Sequence, residues 1–430
     1  MDRTLRYAQV GLGVRSWLYS FAIAGPHRAR AELVALCDTN PGRLTQRATW
    51  ARGQGFTPAT GTGDAFASLL EATRPGRVVV TTPDHHHDDA VVAALRAGCD
   101  VICEKPLAID ERRIQRILDA ERESGRRCLV TFNYRYAPAR AQVKELLAAG
   151  AIGEIVSVDF HWLLDTTHGA DYFRRWHRRK ASSGGLLVHK ASHHFDLVGW
   201  WLGDVPEEVY AQGRRTYYRP EQAERMGLEG RGERCRGCAA AARCPFHLDL
   251  AATPYLKALY LDHEHHDGYL RDRCVFAPEI DIEDQAQLVV RYRRGARLSY
   301  SLHAFMPYEG YTVAFNGTTG RLEHACEETV YVSGDGRTPG ALRPDATRIT
   351  LFPHFGPRRS ISVREAEGGH GGGDPLLLDH LFGPENAPDP FGRRADHRAG
   401  AWAALTGIAA NHSLESGRPV RPGELVKGLA

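Results

Sequence analysis

"LRYAQVGLGVRS", residues 5–16, runs from an apolar strand pattern straight into a turn carrying two glycines. Residues 5–10 read as a short strand, Gly11-Leu12-Gly13-Val14-Arg15-Ser16 as the turn, and SWLYSFAIAG as a helix. The next apolar run, residues 32–37, ends on Asp38. A turn of this kind lets backbone N–H groups approach a pyrophosphate at a helix N-terminus. An acid ending the following strand suits a ribose diol and repels an added phosphate, which favours NAD over NADP. Ser16 stands where a third glycine is usual, and two glycines by themselves mark only a turn. The order strand, turn, helix, strand, acid carries the reading.

The same unit then repeats. VVVTT (78–82) reads as a strand, PDHHH (83–87) as a loop, residues 88–97 as a helix, and residues 101–103 as a strand running into EKPLA. Strands alternating with helices predict a doubly wound parallel sheet over residues 1–130. Residues 131–430 read differently. Residues 286–305 and 310–325 alternate apolar and polar around Arg-Gly and Thr-Gly turns, which predicts antiparallel hairpins in an α+β domain with a large, mainly antiparallel sheet. GGHGGGD (368–374) reads as a loop and residues 395–418 as a closing helix. An open sheet with one apolar face is expected to be covered by a second subunit, giving a homodimer or homotetramer.

The 430 residues carry 55 basic and 52 acidic side chains, a formal charge of +3, so no strong field points to nucleic acid. No apolar run reaches the roughly 18 residues of a membrane span. The first residues lack signal-peptide anatomy, and the expected compartment is the cytoplasm.

GGLLVHKASHHFDLVGWWLG (184–203) places His189, Lys190, His193, His194 and Asp196 in an otherwise apolar, helix-spaced segment. On a continuous helix His189, His193 and Asp196 share one face, and Asp196 could orient an imidazole. His-x-x-x-His is also a zinc spacing, but Lys190 lies between the two imidazoles, where a metalloprotease carries its glutamate. Carbonyl-capped structural histidines are the third reading, to which His194 is assigned.

The GLG turn, TTPDHHH, CEKPLA (103–108) and the downstream His-x-x-Asp together resemble the Gfo/Idh/MocA oxidoreductases. The resemblance implies a dinucleotide domain followed by an α/β domain with an open sheet, acting on sugars, cyclitols and related polyols. It implies that Lys105 is the catalytic lysine and His193 its partner, with His189 where the family motif has aspartate and Ala191 where it has glycine. Gly11, Gly13, Val14, Arg15, Ser16, Asp38, Thr82, Pro83, His87, Glu104 and Lys105 are implied to bind NAD. Hydride removal from a secondary alcohol needs a base within hydrogen-bond reach whose pKa lies near the working pH. A lysine facing a partly dry cleft meets that need, since burial lowers its pKa.

FNYRYAP (132–138) offers Asn133, Arg135 and Tyr136 to a carbohydrate, and residues 165–185 offer His168, Asp171, Tyr172, Arg174 and Trp176. Lys190 joins them, whereas Arg178, Arg179 and Lys180 read as a solvated basic loop. An insertion at about 205–284 contains Cys235-x-x-Cys238, Cys244 and, later, Cys274. Four thiolates would suit a structural zinc or an iron–sulfur cluster; unpaired thiols in a loop are the alternative. Three functions follow: an NAD-dependent oxidoreductase of sugars or cyclitols, a redox-neutral NAD-dependent glycoside hydrolase (oxidation, elimination, hydration, reduction), or a non-catalytic NAD or metabolite sensor.

Overall fold

The computed structural model describes residues 4–329, 340–384 and 387–429. Six strands lie parallel in the first sheet: β1 (Leu5–Val10), β2 (Ala31–Cys37), β3 (Ala59–Gly61), β4 (Arg77–Val80), β5 (Asp100–Cys103) and β6 (Cys128–Val130). Helices cover both faces, so central strands such as β4 are apolar almost throughout and buried on both sides. The doubly wound expectation holds, with one addition. A two-residue strand at Ala395–Asp396 pairs antiparallel with β6 and joins this sheet from far down the chain.

The second sheet has eight strands, β7 (Ile155–Asp165), β8 (Pro206–Arg214), β9 (Gln285–Tyr292), β10 (Arg297–Met306), β11 (Glu309–Gly317), β12 (Gly320–Glu328), β13 (Arg348–Pro353) and β14 (Arg359–Ile361), in the order β14-β13-β12-β11-β7-β10-β9-β8. Only β7 and β10 run parallel; every other pair is antiparallel. Along β12 every second residue is buried, the mark of a sheet with one face on a core and one toward solvent.

The closing helix is His397–Ser416, capped by the Asp396 carboxylate on Ala399 N and stopped by Gly417 at φ +66°. Its Ala401, Leu405 and Ile408 enter the core of the first sheet, while Ala409 and Ala410 enter that of the second. A boundary at residue 130 therefore leaves out a C-terminal segment that returns to the first unit. No helix among the described residues is long and apolar enough to cross a membrane.

The topology decides where chemistry can happen. Gly11, Asp38, Thr81, Glu104 and Thr131 all follow the carboxyl ends of parallel strands, the edge where open α/β sheets bind ligands. The His-rich segment of the second unit packs against that edge.

Candidate active site

At the glycine turn, Gly11 has φ +81°, and a Cβ there would lie 2.5 Å from Thr82 N and 2.6 Å from Thr81 C. Only glycine allows the ends of β1 and β4 to approach this closely. Helix Ser16–Ala24 starts at the turn, and the N–H groups of Ser16, Trp17 and Leu18 bond back to Gly13, Val14 and Arg15 O at 3.2–3.3 Å. Ser16 is not a free phosphate donor: its hydroxyl donates to Gly13 O at 2.5 Å and accepts from Arg47 Nη2 at 2.9 Å. Asp38 accepts from Leu12 N at 2.6 Å and Asn40 N at 2.7 Å, tying the end of β2 back to the turn. Thr82 Oγ1 is buried without a hydrogen-bond partner among the described residues. A glycine cradle, a helix start and an orphaned hydroxyl are what a dinucleotide would complete, and the residues present fit one.

Past β5 the chain reads Glu104-Lys105-Pro106, with a cis Lys105–Pro106 bond. His87 braces this corner, one ring nitrogen 2.7 Å from Pro106 O and the other 3.0 Å from Thr82 O. Arg15 forms an ion pair with Glu104, and Tyr19 donates to the same carboxylate at 2.6 Å. Burial alone would raise the Glu104 carboxyl, but Arg15 and Tyr19 hold it below its ordinary range. Arg15 also lies 3.5 Å from Asp374. Arg15, expected at the cofactor, organises two carboxylates.

Lys105 Nζ stands 3.0 Å from His189 O and 3.4 Å from His189 Nε2, and His189 Nδ1 lies 2.5 Å from Asp84 Oδ2. Burial pulls the Lys105 ammonium down to about 8, with Asp84 and Glu104 opposing and Lys190 and Arg15 adding to the fall. Burial and the Lys105, Arg175 and Lys190 cations also lower His189 well below its ordinary value, so its imidazole is neutral. The lysine thus belongs to an Asp84–His189–Lys105 chain spanning both units.

His193 is not bonded to Lys105. Its ring stacks on Tyr134 at 4.6 Å, and its Nδ1 has no hydrogen-bond partner among the described residues. Burial lowers it, and the nearby Lys105 charge lowers it further. The expected continuous helix is broken: Leu186–His189 forms one turn and Ser192–Leu202 a second helix, with Lys190 and Ala191 between them. Asp196 orients no imidazole; it takes Arg135 in a buried pair at 2.5 Å and 2.8 Å. His194 meets a phenol rather than the expected carbonyl: its Nδ1 lies 2.7 Å from Tyr300 OH, and its Nε2 has no hydrogen-bond partner among the described residues.

Around the chain stand further polar groups from the second unit. His168 Nδ1 lies 2.7 Å from Glu309, with Tyr172 OH 3.0 Å from its Nε2. Lys190 Nζ is 4.0 Å from Glu309 and 4.5 Å from the Trp162 ring. Asn133 donates to Asp374 at 2.7 Å, and Asp374 meets His370 at 2.8 Å. His370 has φ +54°, a left-handed conformation that costs a non-glycine residue roughly 1–2 kcal/mol. Trp176 stacks on His177 at 3.6 Å, and both rings border His189.

Asn133, His168, Tyr172, Trp176, Lys190, His189 and His193 therefore share one neighbourhood with Lys105. Arg135, Tyr136, Asp171 and Arg174 have partners elsewhere, although Asp171 Oδ1 and Arg174 Nε carry no hydrogen bond among the described residues. Arg135 is spent on Asp196; Tyr136 OH is 3.0 Å from His380; Asp171 pairs with Arg175 at 2.8 Å; Arg174 donates to Phe246 O at 3.2 Å. Arg178 is buried on Glu279 at 2.7 Å rather than solvated. The reading missed Asp84, though it sits inside the quoted PDHHH; a carboxylate beside three histidines was the available signal. Glu309, His370 and Asp374 were visible as residues but not as partners, because strand register and loop path bring them in.

Cys235, Cys238, Cys244 and Cys274 do line one pocket, with Leu228, Phe246 and Phe276. Among the described residues, however, no group of three or more His, Cys, Asp or Glu is arranged to hold a metal ion. Burial among these apolar side chains pushes the Cys235 and Cys274 thiols up, which favours neutral thiols. The expected structural zinc finds no support in this arrangement.

Residues 5–132 match the family described as oxidoreductases with an NAD-binding Rossmann fold, and residues 144–421 match its C-terminal alpha/beta domain. The putative oxidoreductase YteT of Bacillus subtilis is 40% identical over 358 residues, 82% of this chain and 81% of that protein. Inositol 2-dehydrogenase of Rubrobacter xylanophilus is 31% identical over 192 residues, 43% of this chain and 49% of its own. In fold, the chain is similar to a levoglucosan dehydrogenase solved with NADH, with a TM-score of 0.67 at 20% identity over 97% of this chain and 99% of that one.

Proposed function

The chain belongs to the Gfo/Idh/MocA oxidoreductase family, and from that premise we propose that it is an NAD-dependent dehydrogenase acting on a secondary hydroxyl of a sugar, sugar derivative or cyclitol. One observation carries the reading: the Lys105 amine, lowered to about 8, is held by His189 and Asp84 at the strand edge that carries the glycine turn. NAD, when bound, supplies the hydride acceptor. The protein must then take the hydroxyl proton, and a neutral Lys105 amine does so at near-neutral pH. Burial raises the Asp84 carboxyl well above its ordinary range, with Lys105 opposing; it meets His189 Nδ1, and the ring's Nε2 faces Lys105 and fixes the amine's position. His193, stacked on Tyr134, offers its partnerless Nδ1 to the same substrate oxygen. Trp176 presents an aromatic face for a sugar ring. Inositol 2-dehydrogenases and a D-glucoside 3-dehydrogenase among the relatives support the substrate class.

The pH dependence follows from the amine. Oxidation requires the free base, so its rate should rise with pH, reach half its plateau near 8 and stay level above. Reduction requires the ammonium and should fall over the same interval. Asp84→Asn removes an attraction that holds the proton on Lys105. Its half-maximum should move to lower pH, and kcat should fall by about 10²-fold as the imidazole loses its orientation. Initial rates of NADH formation between pH 6 and 10, on wild type and variant, check both. A profile that does not move would remove Asp84 from the relay.

Redox-neutral glycoside hydrolysis is the second reading, favoured by a surplus of paired imidazoles. His168 on Glu309 and His370 on Asp374 are more proton-handling pairs than one hydride step needs. A chromogenic glycoside separates the two readings. Aglycone release without lasting NADH absorbance supports hydrolysis, whereas NADH accumulating in step with product supports the dehydrogenase.

A further inference from the structure

The excursion between β8 and β9 does more than extend the second unit. Asp284 closes its base by accepting from the backbone N–H groups of Thr216, Tyr217 and Tyr218 at 2.6–3.0 Å. From that base, residues 254–271 reach back to the first unit and settle on its glycine turn. The Tyr260 hydroxyl accepts from Val14 N at 3.1 Å, and a Cβ on Gly13 would stand 3.4 Å from the same oxygen. Tyr260 is only 7% exposed, so this is a packed contact. Next along the chain, His263 O accepts from Asn40 Nδ2 at 2.9 Å, and its ring lies where a Gly42 side chain would be. Asp267 takes Arg43 at 2.6 Å, and Arg43 also reaches Asp38 at 3.1 Å.

These contacts fall on the groups a dinucleotide uses. The N–H of the residue after Gly-x-Gly faces the pyrophosphate, and the acid ending β2 faces the adenosine ribose. The arm thus touches both ends of the adenosine diphosphate path. Its far side is anchored as firmly. The Arg271 guanidinium lies 4.9 Å from the Tyr260 ring centre and 3.7 Å from Asp171, on the helix Thr166–Arg174 that carries His168 and Tyr172. Arg234 pairs with Glu264 at 2.8 Å and Asp272 at 2.7 Å, fixing the arm's two legs to each other.

We propose that residues 254–271 form a third wall of the dinucleotide site, with Tyr260 at the pyrophosphate and Asp267 at the ribose end, so that bound cofactor is enclosed and leaves slowly. The Tyr260 oxygen accepts from Val14, which leaves its own proton to donate to a phosphate oxygen. Arg43, shared between Asp38 and Asp267, keeps the acid pair from repelling each other. This inference rests on the dinucleotide reading of the first unit, and it has a functional consequence. An enclosed cofactor is reduced and reoxidised in place more readily than it is exchanged.

The test uses the full-length protein loaded with NADH, whose fluorescence reports release when excess NAD is mixed in. Wild type is expected to release NADH slowly. Tyr260→Phe, which removes only the hydroxyl, and Asp267→Asn should each speed release by tenfold or more, with circular dichroism unchanged. Surface variant Arg96→Ala, outside the arm, should release at the wild-type rate. Release from both wall variants within twofold of wild type overturns the inference while leaving the dinucleotide reading intact. Slower release from Tyr260→Phe also overturns it, since the tyrosine would then be a plug that the cofactor displaces. No NADH binding by wild type overturns the dinucleotide reading and the wall together.

Discussion

Lys105→Met should lower kcat for hydroxyl oxidation by about 10²–10⁴-fold, the range general-base catalysis supplies, while NADH affinity stays near wild type. Methionine keeps the length and apolar stem of the side chain, so the packing around His87 and Pro106 survives and only the amine is lost. In the proposed reaction the amine acts on substrate rather than on the pyrophosphate or ribose groups, so affinity for the cofactor should hold. Lys105→Arg sharpens the result. A guanidinium preserves the charge but does not give up its proton in the accessible pH range, so it should be as inactive as methionine. Activity restored by arginine would mean that Lys105 works through its charge alone. Steady-state NADH formation on an inositol and on a glucoside, with binding measured by fluorescence, gives both quantities.

Arg140→Met should cost about 3–5 kcal/mol of stability, because it strands a buried carboxylate. Arg140 and Glu328 have fully buried side chains and form an ion pair. The same guanidinium donates to Tyr311 OH at 3.1 Å and to His370 O at 3.1 Å, and lies 3.8 Å from the Tyr134 ring centre. It therefore ties the large sheet to the glycine-rich loop and to the tyrosine under His193. Removing it leaves Glu328 in an apolar core with Oε2 already lacking a hydrogen bond among the described residues. Urea unfolding followed by circular dichroism should show the midpoint drop. The double variant Arg140→Met with Glu328→Leu should recover much of the loss, since replacing both members of a buried pair is often close to neutral. A single variant within about 1 kcal/mol of wild type would mean the pair is not desolvated as described.

The first unit was legible because its signals are local. A strand, a glycine turn, a helix start and an acid at the end of the next strand occupy adjacent stretches, and Gly11 and Asp38 follow β1 and β2 in that order, while Lys105 rests on the family resemblance. Alternation in residues 286–325 likewise exposed the hairpins of the second sheet, since period-2 patterning survives wherever one face is buried. What the sequence hid was partnership across distance. Arg135 and Asp196 read as a sugar ligand and an imidazole orienter; each was taken by the other, 61 positions apart. Asp84 was read as loop, and its role depends on His189 arriving from the second unit. The helical spacing of His189 and His193 misled because Lys190 and Ala191 interrupt the helix, and no side-chain pattern marked that break. The arm was the least visible of all: nothing in its composition tells that Tyr260 returns to a turn 246 residues earlier.

In the proposed reaction an amine from the first unit, set by an imidazole–carboxylate pair bridging both, takes the proton from a polyol hydroxyl while NAD takes the hydride. Rapid mixing of NAD-loaded protein with inositols and glucosides, protio and carbon-deuterated, tests it most directly through the absorbance of NADH. An NADH signal is expected in the first turnover, slowed by deuterium and lost in Lys105→Met; a signal that then decays would place the protein in the redox-neutral class. NADH formed by Lys105→Met at the wild-type rate, or never formed by wild type on any polyol, would contradict the account.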